Sequence, residues 1–350
     1  MIRLALSLVL MLSGALAMGT PVAAASFDCS KAGTPFEHAI CDTPELSAAD
    51  DRLAKTYATA IGGLSETALS EVRNSQRDWL DYARRACTRT AEPLSSGRYD
   101  ERGASCLVDL FNSRSRVLES SRMMDGLRVY PIASFAALPD PYEADNPDSN
   151  WPVAQHELSL VQVDSEEAFA GAFNSFVRAE GKVISAGFVE QGGPETLAED
   201  SSSDSTNSIT IQEISGNRLS LLVNTYWYGH GAAHGNYTIS YLHYLKDEER
   251  ALEARDIFAG KGWQKKLLEL VTEAAEAEHG DALWPDSLGD LSDVVIDPAR
   301  WDLSDPYGLK IQFQPYEISS YAYGAPTARV SWEALAPILA ETADRYRYGY

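Results

Sequence analysis

Cys29, Cys41, Cys87 and Cys106 are the four cysteines of this 350-residue chain, and all lie in its first third. An even number confined to one stretch limits what that stretch can fold into more than any other feature, provided the thiols are oxidised. The N-terminus speaks to that condition. MIRLALSLVLMLSGALAMGTPVAAAS places Arg3 before an apolar run from Leu4 to Met18 and closes on Ala23-Ala24-Ala25. This is the pattern of a secretory signal peptide, residues 1–25, cleaved after Ala25. The mature chain is therefore expected in the periplasm or the medium, where two disulfides form. No second apolar stretch is long enough to span a membrane. Cys29 follows Ser-Phe-Asp, so lipid attachment is not expected.

Residues 26–125 read as helices. Thr34 with Pro35 starts a short one before Cys41. Leu46, Ala49, Leu53, Tyr57 and Ile61 recur at helical spacing on a second. Ser65-Glu66-Thr67 opens a third with the stripe Leu69, Val72, Gln76, Trp79, Leu80, Ala83 and Cys87, and Leu107, Leu110, Phe111, Val117 and Leu118 line a fourth. Four such helices make a small all-α bundle. Antiparallel packing gathers the cysteines at one end and favours Cys41–Cys87 with Cys29–Cys106, among three possible pairings. Gln76 and Trp79 would face either a partner or the core; an aromatic on a helical stripe favours the core, with Gln76 bonded to the next helix.

These residues carry a resemblance. Cys29, Ala39-Ile40-Cys41-Asp42, Leu46-Ser47, Asp50-Asp51, Tyr57, Gln76-Arg77-Asp78-Trp79-Leu80 and Arg85-Ala86-Cys87 resemble the LprI-type family, named for a bacterial lysozyme inhibitor. The likeness covers about one hundred residues. It differs in lacking the lipid-attachment cysteine of the mycobacterial namesake.

Residues 126–350 read as a separate α+β domain with a largely antiparallel sheet. Tyr130-Pro131 begins it, and Leu138–Pro152 is an exposed Pro/Asp/Asn connection. Strands are expected at Glu157–Val163, Val183–Val189, Ser208–Ile214 and Arg218–Tyr226, the last two turning at Gly216-Asn217. Helices are expected at Ser165–Ala179, Gly262–His279 and Ser331–Tyr346, a strand at Leu309–Phe313, and a disordered polar loop at Gln191–Asn207. The net charge of −22 is placed here: residues 26–125 hold 13 basic and 16 acidic side chains, residues 126–350 hold 15 and 35. Such a surface repels nucleic acid and anionic membranes and attracts a basic partner, unless it serves solubility alone.

Within this domain Asn224–Tyr244 (NTYWYGHGAAHGNYTISYLHY) reads as strand, glycine-histidine turn, strand. Gly229, Gly231 and Gly235 suit positive backbone angles. His230 and His234 are four apart, but no glutamate lies between them and the glycines oppose a helix, so a zinc hydrolase is not expected. Gly229-His230-Gly231 fails as a dinucleotide loop, and no Gly-x-Ser-x-Gly elbow occurs. No catalytic residue, metal or cofactor is assigned; the chain reads as non-enzymatic.

Tyr226–Gly235, Tyr244, Ala254–Phe258, Trp263, Phe313-Gln314-Pro315-Tyr316-Glu317-Ile318, Tyr321 and Gly324 resemble the RsiV-type C-terminal domain, named for an anti-sigma factor whose extracellular part binds lysozyme. That domain also accompanies some peptidoglycan deacetylases as a non-catalytic module. Both resemblances imply a binder of c-type lysozyme, a strongly basic protein, which the acidic charge suits. Tyr226, Tyr228, His230, His234, Tyr316, Tyr321 and Tyr323 are the candidate contacts. The rival reading is a peptidoglycan-binding or wall-remodelling accessory module. A third is a metal- or pH-responsive sensor using His230, His234 and His243.

Overall fold

The computed structural model describes residues 25–189, 202–284, 286–289 and 291–347; all but the last residue of the expected signal peptide lies outside them. Four helices come first: α1 (Pro35–Asp42), α2 (Pro44–Ala60), α3 (Glu66–Ala86) and α4 (Glu101–Leu118). Three of their starts are fixed by side chains that satisfy otherwise orphaned N–H groups, while α2 opens on Pro44, which has no N–H to satisfy. Thr34 and Glu37 form a reciprocal capping box, while Ser65 and Asp100 cap α3 and α4. Trp79 is 1% exposed and packs edge-on against Phe111. Gln76 accepts from Arg114 Nε of α4 at 2.9 Å, the bond to the neighbouring helix that its stripe position favours. At the start of the bundle, the Ser26 backbone N–H donates to the largely buried Asp50 carboxylate at 2.7 Å.

The disulfides are Cys29–Cys41 and Cys87–Cys106. The favoured pairing, Cys41–Cys87 with Cys29–Cys106, is thereby corrected. Each cysteine instead pairs with its neighbour in sequence, 12 and 19 residues away, Cys29 with Cys41 on α1 and Cys87 with Cys106 on α4.

A seven-stranded sheet follows in chain order: β1 (Arg122–Met124), β2 (Leu127–Pro139), β3 (Val153–Asp164), β4 (Ser203–Ser215), β5 (Arg218–Gly229), β6 (Asn236–Leu245) and β7 (Arg250–Ala251). Every neighbouring pair is antiparallel except β3 with β4. A parallel pair needs a crossover, and helix α5 (Phe169–Val189) begins it. This corrects two expectations. Val183–Val189 is the last part of α5, not a strand; a short apolar run does not distinguish a strand from a buried helix. Ser203–Asn207 belongs to β4, its Ser203, Ser205 and Asn207 buried at alternate positions; residues 191–201 of the expected loop lie outside the described ones. The segment 140–152 is also only partly exposed, since Asp140 and Ser149 are buried.

The registers Glu157↔Thr206, Thr206↔Tyr226 and Tyr226↔Tyr237 set one row of side chains across β3–β6 on a common face. At one end of the row, Tyr82 of α3 donates to Glu157 at 3.0 Å. At the other, Tyr237 meets Tyr321 of the C-terminal lobe edge-on at 6.1 Å. The bundle and the C-terminal lobe thus share one face of the sheet. On the opposite face α5 packs Phe173 against Tyr244 at 5.3 Å and lays Gly181 on Leu160 so closely that a Cβ would not fit.

The C-terminal lobe contains α6 (Ala254–Ile257), α7 (Trp263–His279), α8 (Ser292–Ile296), and a small antiparallel sheet of β8 (Trp301–Asp302), β9 (Gly308–Gln312) and β10 (Thr327–Ser331). It ends in α9 (Trp332–Leu335) and α10 (Ala343–Arg347). The single helix expected over Ser331–Tyr346 is therefore broken, as Pro337 lacks the N–H that would continue it. The lobe grips β6 through polar groups. His243 donates from Nε2 to the Trp301 carbonyl at 2.8 Å, and Gln314 brackets Ile239 with bonds of 2.7 and 2.9 Å, standing in for a strand partner.

Candidate functional site: an aromatic shelf beside the β5–β6 hairpin

The hairpin pairs Trp227 with Asn236 and turns through residues 230–235. Of its glycines only Gly231 takes a positive φ, +80°. Gly229 and Gly235 serve close approach instead: the Trp227 ring lies over the first, and a methyl on the second would overlap the Tyr226 hydroxyl. The tip divides the two histidines. His230 turns toward the segment after β2, and His234 toward the C-terminal lobe.

The His230 side chain is fully covered. Its Nδ1 donates to Asp140 at 2.6 Å, and Nε2 lies 3.2 Å from Asp204, within ion-pair range but off hydrogen-bond alignment. Trp151 stacks on the ring at 6.1 Å, with Tyr228 beside both. Burial opposes charge on His230, but Asp204 and Asp140 outweigh it and raise its pKa. Asp140 is held below the usual carboxylate range despite its burial, by the N–H groups of Tyr142 and Glu143 and by His230. The group is a charged clamp that fixes one side of the hairpin tip.

His234 stacks on Tyr321 at 4.1 Å and accepts from Tyr316 Oη at 3.2 Å. Tyr321 donates to the Gly235 carbonyl at 2.7 Å and lies 5.3 Å from the Tyr316 ring. Trp284 continues the row, 6.3 Å from Tyr316. Tyr226, Trp284 and Tyr316 are 42%, 41% and 48% exposed, which is unusual for rings this large and this close together. Tyr316 takes φ +68°, a conformation disfavoured for a bulky residue. Glu317 holds that turn, accepting from Gln314 N at 2.8 Å and from both arms of the Arg300 fork at 2.7 and 3.0 Å. Backbone strain is thus maintained where a tyrosine is presented to solvent.

The seven sequence candidates therefore separate into three groups. Tyr226, His234, Tyr316 and Tyr321 form the shelf. Tyr228 and His230 belong to the clamp. Tyr323, exposed, stands apart and donates to His279 Nδ1 at 3.0 Å. Trp284 and Tyr237 were missed. Trp284 joins only because Leu283 pairs with Ser319, a contact no local pattern reports. His243, grouped with the other two histidines in the sensor reading, is buried and bonded to Ser220 and Trp301, and burial pushes its pKa down to about 3. Among the described residues no three His, Cys, Asp or Glu side chains are grouped to hold a metal ion.

Residues 28–118 match the family model described as "Lysozyme inhibitor LprI", and residues 255–333 match one described as "Protein of unknown function (DUF3298)". The second segment contains Trp284, Tyr316, Tyr321 and Tyr323, while Tyr226 and His234 precede it. Among solved structures, a DUF3298 family member from Bacteroides fragilis is 17% identical with a TM-score of 0.47, covering 64% of this chain and 98% of that one. A DUF3298 family protein from Pseudomonas aeruginosa is 12% identical with a TM-score of 0.43, covering 63% and 97%. Likeness at that level carries no inference about residues. No curated protein matches the chain. The chain thus joins an N-terminal segment similar to the family described as a lysozyme inhibitor to a C-terminal segment similar to DUF3298.

Proposed function

We propose that this chain is an exported, non-enzymatic protein that binds lysozyme and inhibits it, protecting the cell wall. The observation that carries the reading is the match of residues 28–118 to an inhibitor family. The RsiV-type resemblance of the C-terminal part points to the same partner, and a net charge of −22 suits a basic one. In this reading the exposed rings of Tyr226, Tyr316 and Tyr323, with the half-buried Tyr321 and with His234, make the contact, and the clamp of Tyr228 and His230 holds the hairpin in place. Acidic neighbours speed encounter more than they deepen affinity, so association weakens with salt.

The test is lysis of Micrococcus cells by egg-white lysozyme with the purified mature chain, at low and high salt. Inhibition that slows in onset at high salt is expected; unchanged lysis with no detectable complex sinks the proposal. Gly235→Ala tests the shelf without removing an aromatic, since the added methyl displaces Tyr226. Its expected effect is a loss of roughly tenfold in affinity with the fold retained. A second reading, a peptidoglycan-binding accessory module, is favoured by the exposed rings of the shelf, which suit glycan; retention on purified sacculi without effect on lysozyme supports it instead.

A further inference from the structure

A second concavity lies on the other side of the hairpin, between the bundle and the sheet. The loop from Thr88 to Tyr99, closed by Cys87–Cys106, stands opposite residues 150–155 and leaves a cleft of about 390 Å³. Tyr99 and Trp151 provide its aromatic walls. Tyr99 is fixed by its hydroxyl on the Arg84 carbonyl at 3.0 Å, and Trp151 by its stack on His230. Burial pushes the Tyr99 pKa up to about 12, so that wall stays neutral.

Charge sets the chemistry of this cleft. Three arginines line it, Arg89, Arg98 and Arg102, against Asp100 and Asp204. Arg98 is paired with Asp42, Asp100 caps Gly103, and Asp204 accepts from the Gln155 backbone and faces His230. Arg89 and Arg102 donate only to neutral carbonyls, of Asn146 at 2.8 Å and Ser149 at 3.0 Å. Among the described residues neither has a carboxylate within 4.0 Å. A strongly acidic chain therefore holds two guanidinium groups without counter-ions beside one cleft. Guanidinium is the side chain best shaped to take a carboxylate.

The remaining lining decides what carries that carboxylate. Asn150 adds an amide to the wall, while Thr88 Oγ1, bonded to the Arg85 carbonyl, and Gln155, bonded to Ala86 and Tyr82, keep spare hydrogen-bonding capacity that a hydroxylated ring can use. The volume is at the small end of ligand pockets, room for one or two rings. We propose that the cleft binds a small carboxylate-bearing sugar, its carboxylate taken by Arg89 and Arg102 and its ring laid against Trp151 and Tyr99. This site shares no residue with the aromatic shelf and does not depend on the lysozyme reading.

The test is calorimetric titration of the full mature chain with N-acetylmuramic acid, N-acetylglucosamine and benzoate. The second probe lacks the carboxylate and the third lacks the hydroxylated ring. N-acetylmuramic acid is expected to bind roughly tenfold tighter than either. The double variant Arg89→Lys, Arg102→Lys keeps the charge but loses the fork, and is expected to lose roughly tenfold in that affinity with an unchanged circular dichroism spectrum and melting midpoint. Equal binding of the acidic and neutral sugars, equal binding of benzoate, no binding at millimolar concentration, or a folded double variant that binds as the parent does would each overturn the proposal. Lysozyme inhibition, measured separately on the same preparations, is not a readout of this site.

Discussion

The bundle and the C-terminal lobe sit on the same face of one sheet, yet each is joined to it by a different kind of buried arginine. Arg114 of α4 is 2% exposed and reaches Gln76 and Ser75, with its guanidinium 5.6 Å from the Phe135 ring. Its bonds are to neutral groups. Arg218 of β5 is fully buried and holds Glu213 at 2.5 Å, the Tyr346 carbonyl at 2.7 Å and the Leu303 carbonyl at 3.2 Å. That single side chain ties the sheet to two segments of the lobe. The bundle has covalent cross-links of its own, whereas both disulfides lie outside the lobe, which depends on such polar ties. One region is stapled within itself; the other is stitched to its neighbour.

The largest expected effect follows from that contrast. Arg218→Met leaves Glu213 and three carbonyls, of Leu303, Tyr346 and Arg347, without this partner and is expected to cost about 3–5 kcal/mol in urea unfolding. Arg114→Met breaks bonds to the neutral Gln76 and Ser75 and removes a positive charge that favours ionised Glu157 in its buried site; its expected cost is smaller, about 1–3 kcal/mol. Equal losses would erase the distinction between the two attachments.

Next in size are the disulfides. Each closes a loop of a dozen or two residues, and opening one by paired Cys→Ser substitution is expected to cost about 3 kcal/mol. Hydrogen exchange should locate the loosening in α1–α4 and leave β8–β10 protected. Equal loosening in the lobe would mean that the two regions unfold as one unit.

The histidines offer a finer test because their signs are opposite. His243 is neutral when folded, with its pKa pushed down to about 3 by burial, against about 6.5 unfolded. Its contribution is fully present above the unfolded value and is lost as pH falls from about 6.5 toward 3. His243→Gln should flatten that acid limb by up to about 1.4 kcal/mol per pH unit. His230 is shifted upward by Asp204 and Asp140, against its burial. Its contribution is fully present below about 6.5 and is lost as pH rises through the folded value. His230→Gln should therefore cost more at pH 6 than at pH 9. Parallel pH profiles for the two variants would contradict these assignments.

How far the sequence reported all this depends on range. Thr34, Ser65 and Asp100 mark helix starts by local bonds, and helical stripes of Leu46, Leu53, Trp79 and Phe111 predict the bundle. The β4–β5 turn at Gly216-Asn217 is equally local. The start of β4 was hidden because Ser203, Ser205 and Asn207 are polar yet buried between two strands. Val183–Val189 misled because an apolar run gives burial without period. At the site, the exposed tyrosines were legible as a cluster in composition. The partners of His230 were not, since Asp140 lies 90 residues away and is brought in by tertiary structure alone. For the same reason two histidines four residues apart serve different regions.

The contact between Ser26 and Asp50 reaches further than its single hydrogen bond suggests. Cleavage after Ala25, the site that the leader pattern predicts, would convert the Ser26 backbone N–H into a free ammonium, on an atom 2.7 Å from a largely buried carboxylate. A neutral donor then becomes a charged one, with a pKa near 8 when unpaired. A chain so processed would gain an ion pair on α2 that the precursor lacks, which would couple that cleavage to the stability of the bundle. A leader cut one residue earlier or later would carry its new charge away from Asp50, and the bundle would register the difference.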